Sequence, residues 1–267
     1  MDGAFVFSEG TIPLLVSFPH DGTAIPAALA RRMTPAALAR PDTDWHVARL
    51  YEFVTGLGAS TLRPELSRYV VDLNRDPTGL ALYPGADNTG IVPLDTFARE
   101  PIYLPGAAPD EAECVERVAR HFAPYHAKLA GELERLLGAF GVAVLLDAHS
   151  IPSVVPRFFE GTLPDLNLGS ARGASAAPEL AARAFCVLEA AEGYRAVRDG
   201  RFTGGYITRH YGAPERGVHA LQLELAQKNY MVEAPPFSWV DERASALRLV
   251  LRAFVEELAA FARERSR

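Results

Sequence analysis

Cysteine is nearly absent: Cys114 and Cys186 are the only two in 267 residues, and both fall in apolar helical patterns. Two cysteines so placed build no disulfide framework, and they read as small core residues of a protein kept in a reducing compartment. Positive charge is not in excess either. Lys and Arg number 27 against 33 Asp and Glu, a net charge of −6, so the basic footprint that nucleic acid requires is missing. No apolar run approaches the roughly 18 residues of a membrane span, and the opening MDGAFVFSEG has no basic n-region of a signal peptide. The expectation is a cytoplasmic protein with neither membrane nor nucleic acid as partner; the composition fixes no oligomeric state. Also missing are GxSxG, GxxxxGK[ST], GxGxxG and HExxH, which leaves serine hydrolases, nucleotide hydrolases, dinucleotide enzymes and compact zinc proteases without support.

What the chain does have is apolar material, 49% of its residues, enough to bury a full core in one domain over 1–267. The most strongly β-like stretch is GVAVLLDAHS, residues 141–150, an apolar run closed by Asp147 and His149 that reads as a strand buried on both faces. IPLLVSF (12–18) repeats the pattern and delivers His20 to a Gly-containing turn. RYVVDL (68–73) is a third predicted strand, ending in Asn74-Arg75-Asp76-Pro77. VHALQLEL (218–225) alternates, with Leu221, Leu223 and Leu225 on one face and Ala220, Gln222 and Glu224 on the other. Shorter strands are expected at 61–63, 165–169 and 194–197. Helical spacing is read over 26–39, from Trp45 to Val54, over 110–136 with a kink at Pro124, over 178–193, and from Asp241 onward. Such alternation predicts a three-layer α/β architecture, a mixed, mostly parallel sheet flanked by helices. The Gly- and Pro-rich segment 78–106 reads as an ordered wall of the site. GRFTGGYITRHYG (200–212) is either a hairpin tipped by Gly204-Gly205 or a backbone that approaches a ligand closely.

Ligands of open α/β sheets collect outside the carboxyl ends of the strands. Polar residues gathered there are His20, Asp42 or Asp44, Asn74, Arg75, Asp147, His149 and Glu224. Two neutral imidazoles and a carboxylate make an open zinc site, and a further carboxylate can serve as base. Glu224 stands out because a carboxylate inside a strand built for burial is costly unless paired, ligated or protonated. His121 and His126 lack a strand end or an acidic partner and are assigned to packing.

Six stretches, SFPHDGTAIP, DTDWHVARLY, SRYVVDLNRDPTG, LLDAHSIPS, GRFTGGYITRHYG and LQLELAQKNYM, spread over residues 17–231. Together they resemble the successive blocks of the N-formylglutamate amidohydrolase (N-formylglutamate deformylase) family of histidine degradation. The resemblance implies a zinc carboxypeptidase-like fold with an eight-stranded mixed sheet. It also implies one divalent metal ion, zinc, held by His20, an acidic residue of the DTD block and His149, with Glu224 as general base. Asp44 is preferred over Asp42, which falls where a helix N-cap would, and His46 is a further candidate. The HxxE ligand pair of carboxypeptidases is not present after His20, which continues Asp21-Gly22-Thr23. Asp147 either orients His149 or caps the turn. For an anionic N-acyl dicarboxylic amino acid, the resemblance assigns Asn74 and Arg75 to one carboxylate. Arg209, and after it Arg201, would take the other, with Gly205 and Tyr206 covering the substrate. Arg68 is either an ion-pair partner or part of the site. The implied reaction is hydrolysis of N-formyl-L-glutamate to formate and L-glutamate by a water activated at the metal. The alternatives are a deacylase or carboxypeptidase for another N-acyl amino acid and, in a different class, a non-catalytic amino-acid or metal-binding protein.

Overall fold

Seven short runs pair into one sheet in the computed structural model, which describes residues 5–80 and 87–267. The strands are β1 (Phe5–Ser8), β2 (Leu14–Ser17), β3 (Ser60–Pro64), β4 (Ala143–Ile151), β5 (Leu166–Gly169), β6 (Ala196–Arg198) and β7 (Val218–Ala226). They lie in the order β1-β3-β2-β4-β7-β5-β6. From β3 through β7 the pairing is parallel, as it is between β5 and β6, while β1 on β3 and β5 on β7 run antiparallel. The mixed, mostly parallel sheet of the sequence reading is therefore found, with seven strands among the described residues where the resemblance implied eight.

The helices are α1 (Ala27–Ala30), α2 (Pro35–Leu38), α3 (Val47–Leu50), α4 (Glu111–Arg117), α5 (Ala123–Phe140), α6 (Pro178–Glu189), α7 (Tyr206–Tyr211) and α8 (Asp241–Arg265). Period-two alternation sorts the strand residues onto two cores. Val144, Leu146, Ala148, Leu221, Leu223 and Leu225 pack with α3, α6 and α8 on one face. Leu15, Ala143, Leu145 and Ala220 pack with Phe122, Tyr125, Leu129 and Leu133 from the α5 side on the other. Each buried Leu contributes roughly 1.5–3 kcal/mol by leaving water, so both layers are firmly seated. No helix among the described residues is long and apolar enough to cross a membrane.

Several local expectations change. The strand at 141–147 continues through His149 to Ile151, so Asp147 and His149 are strand residues instead of strand-end residues. RYVVDL forms turns, not a strand. Its polar groups bond locally, Asn74 N–H to Asp72 Oδ1 (2.9 Å) and Tyr69 N–H to Ser67 Oγ (3.3 Å), and such bonds compete with a ladder. The helix from Trp45 shrinks to α3 and a following 3₁₀ segment, and the 26–39 pattern becomes the one-turn helices α1 and α2. The kink at Pro124 takes the form of a π-helical turn, Val118–Phe122, just ahead of it. At 200–212 neither hairpin strand forms; Gly204-Gly205 lead into α7. Neither cysteine is a core residue, since Cys114 is half-buried and Cys186 exposed, both as free thiols. Within the predicted wall, 87–106 has no helix or strand, and 81–86 lie outside the described residues.

Candidate active site

On the α5 face, three neighbouring strands switch from apolar to polar partway along their length. β2 goes from Leu15 to Ser17, β4 from Leu145 to Asp147 and His149, and β7 from Ala220 to Gln222 and Glu224. Parallel register sets Asp147 beside Ser17 and Gln222, and His149 beside Glu224. His20 follows β2, and its carbonyl accepts the Asp44 N–H (3.1 Å). That bond brings the DTD block to the same strand ends.

His20, Asp44 and His149 converge there, with one ligand atom from each lying within 4.8 Å of the others. Nδ1 of His149 is 3.1 Å from Asp44 Oδ2 and Nδ1 of His20 is 3.8 Å from it. The opposite ring nitrogens are engaged by carboxylates: His20 Nε2 lies 2.6 Å from Asp72 Oδ1, and His149 Nε2 3.0 Å from Asp147 Oδ2. A carboxylate on Nε2 fixes the tautomer that presents an Nδ1 lone pair to a cation. Two nitrogens and an oxygen at these spacings fit one divalent ion with bonds of roughly 2 Å.

The protein's own charges support that fit. Burial and the nearby Arg68 guanidinium push the His20 pKa down to about 4, so its imidazole is neutral. Burial also works against a charged His149, but Asp147 and Asp44 outweigh it and hold the pKa well above the ordinary range; a cation there replaces a proton. Asp72 stays well below the usual carboxylate range despite burial, because Arg68 and Arg75 flank it. Arg68 Nη2 donates to Asp72 Oδ2 at 2.5 Å, and its Nη1 lies 3.8 Å from Asp44 Oδ1. Arg68 is thus an ion-pair partner that also lines the cavity.

Asp42 has another task. Its Oδ2 accepts Tyr69 Oη (2.7 Å) and Phe97 N–H (2.9 Å), so it caps no helix and belongs to no metal cluster. His46 is drawn away at left-handed φ (64°), its Nε2 2.8 Å from the Phe237 carbonyl. His126 is buried, held by Leu73 O and Tyr211 Oη at 2.9 Å each.

A cleft opens beside the cluster, lined by His20, Asp44, His149, Glu224, Asn74, Arg75, Gly205, Gln222 and Arg201, among others. Glu224 is buried, and that burial, reinforced by Asp44, raises its pKa to about 7. Arg75 is braced by Thr89, Nη2 to Oγ1 at 3.0 Å. Asn74 turns its amide inward, with Nδ2 3.0 Å from Asp147 Oδ2 and 2.9 Å from His149 Nε2. Gly205 lies so close to Asn74 that a Cβ would collide with its amide.

Arg209 and Tyr206 are not among the described residues lining this cleft. Arg209 is exposed and folds back on the glycine turn, Nε to Gly204 O at 2.8 Å and Nη2 to Thr203 Oγ1 at 2.9 Å. Tyr206 stacks on His210 and leans on Phe122. Asp72 was missed by sequence reasoning, although it carries the signal that exposed Glu224, an acid inside an apolar run.

A sequence model of the N-formylglutamate amidohydrolase family matches residues 12–231, most of the chain. The chain belongs to the N-formylglutamate amidohydrolase family. Among its relatives are N-formylglutamate deformylases of Pseudomonas aeruginosa, 51% identical, and Pseudomonas putida, 45% identical, each aligned over 99% of both chains. The crystal structure of N-formylglutamate amidohydrolase from Ralstonia eutropha JMP134 matches with a TM-score of 0.83 at 26% identity, over 98% of this chain and 99% of that one. An Agrobacterium tumefaciens gene product shares the fold, with a TM-score of 0.71 at 16% identity over 97% of this chain and 96% of that one.

Proposed function

We propose that the protein is a cytoplasmic, metal-dependent deformylase that hydrolyses N-formyl-L-glutamate to formate and L-glutamate in histidine degradation. The observation that carries this reading is the convergence of His20, Asp44 and His149 beside Glu224 in a cleft that also holds arginines. The names and extent of the relatives support the substrate.

The donor set of two imidazoles and a carboxylate suits zinc, which when bound polarises a carbonyl and lowers the pKa of an adjacent water toward about 7. Asp72 and Asp147 hold the two rings with Nδ1 turned to the centre. Glu224, buried beside the cluster, takes the proton of the attacking water and passes it to the amide nitrogen as the C–N bond breaks. Arginine forks bind carboxylates in two-point fashion. Arg75 with Asn74 is assigned one carboxylate of the substrate. Arg201, which lines the cleft, takes the other in place of Arg209. Gly205 lets the turn close against the Asn74 amide at the cleft wall, and Tyr206 supports the turn from behind.

The test is formate release from N-formyl-L-glutamate by the protein as purified, after chelation, and after zinc is returned. Loss and recovery, with N-acetyl- and N-succinyl-glutamate turned over poorly, is the expected result. Equal turnover of the three acyl groups would make the protein a general deacylase, and unchanged turnover after complete metal removal would end the metal-dependent reading.

A further inference from the structure

Gln222 has no role in the chemistry so far, yet it lines the cleft and is buried. It sits two residues before Glu224 on β7, so both side chains leave the same face of the strand. Its Oε1 accepts the Gly205 N–H at 2.6 Å, and its Nε2 donates to Glu224 Oε2 at 3.0 Å. The first bond decides the second: with the oxygen taken by a backbone donor, the amide can face the carboxylate only with its NH₂. Asn74 repeats the device. Its Oδ1 accepts the Ile207 N–H at 2.8 Å while its Nδ2 donates to Asp147 Oδ2 at 3.0 Å. The turn at 204–207 is thus clamped twice, and each clamp ends on the machinery.

We propose that Gln222 is a positioning residue: it aims the Glu224 carboxylate and ties that aim to the Gly204-Gly205 turn. This rests on the assignment of Glu224 as the base. With Oε2 held by Gln222, Oε1 is the oxygen left to face the water. A carboxylate released from this bond samples other rotamers, and misplacement of about 1 Å costs on the order of 100-fold in rate.

Two variants test the bonds. Gln222→Met keeps the volume and loses both; Gln222→Glu keeps an acceptor for Gly205 but sets a second buried carboxyl against Glu224, and the two must share a proton. Both are expected to lower kcat about 10- to 100-fold, with KM for N-formyl-L-glutamate within about twofold and the metal content of Gln222→Met unchanged. Because Gln222 acts through Glu224, adding either change to Glu224→Gln removes little of the residual turnover. Wild-type kcat in both single variants, a rise confined to KM, or full additivity in the double variants overturns the positioning role. Full turnover by Glu224→Gln alone instead removes the base, and the inference with it.

Discussion

The two faces of β4 and β7 make the most instructive comparison in the molecule. Toward α8, β4 presents Val144, Leu146 and Ala148 ahead of Ser150, and β7 presents Leu221, Leu223 and Leu225 after His219, so this face is mainly apolar and buried. Toward α5 the same strands begin apolar and finish with Asp147, His149, Gln222 and Glu224, equally buried but polar. One face is held by apolar burial; the other holds charge out of water by pairing each group with another. The second face is where stability yields to chemistry.

Substitutions should break this comparison unequally. The largest effect is expected on the polar face: Glu224→Gln should lower turnover about 10²- to 10⁴-fold with metal content kept, as elemental analysis and steady-state kinetics would show. Burial favours the protonated carboxyl, which further predicts an acid limb in the pH profile, activity rising as Glu224 loses its proton; the limb should vanish in the variant's residual rate.

On the apolar face, Leu223→Ala should cost about 2–5 kcal/mol of stability. Denaturant unfolding would measure it, and kcat per folded molecule should stay as it was.

His126 offers a test of stability against pH. Burial lowers its pKa to about 4, so the folded state favours the neutral ring. That contribution is present above the unfolded value of about 6.5 and is lost as pH falls toward 4, on the order of 3 kcal/mol. Thermal midpoints measured across that window should fall less steeply in His126→Gln than in the parent.

Smaller still, Asp72→Asn should weaken metal affinity about 10- to 100-fold by loosening His20, a shift that competition with a chelator would read. At the bottom of the scale, Arg209→Ala should leave KM within about twofold, whereas Arg75→Ala and Arg201→Ala should raise it with kcat retained. A large KM effect at Arg209 would return that residue to the substrate.

Much of this division was legible beforehand. The alternation in VHALQLEL assigned Leu221, Leu223 and Leu225 to one face and Gln222 and Glu224 to the other because a strand's side-chain period is two, whatever surrounds it. His20 and His149 were legible as residues delivered by apolar runs. Asp44 was preferred over Asp42 by an argument that does not hold, since Asp42 caps no helix; it is occupied by Tyr69 and Phe97, partners 27 and 55 residues away in sequence. Asp72 was hidden for a related reason: RYVVDL has β composition, but turns and long-range polar bonds decide its path, and composition carries no record of them. Arg209 was assigned a substrate carboxylate with 200–212 read as a hairpin or a closely approaching backbone, neither of which contains a helix. Helix α7 turns the arginine back onto the glycine carbonyl.

Anomalous diffraction at the zinc edge, from crystals of catalytically active protein, tests the central claim most directly. The account predicts one ion per chain, within roughly 2 Å of Nδ1 of His20, Nδ1 of His149 and a carboxylate oxygen of Asp44. An ion bound elsewhere, or active protein with no metal at these residues, would contradict it.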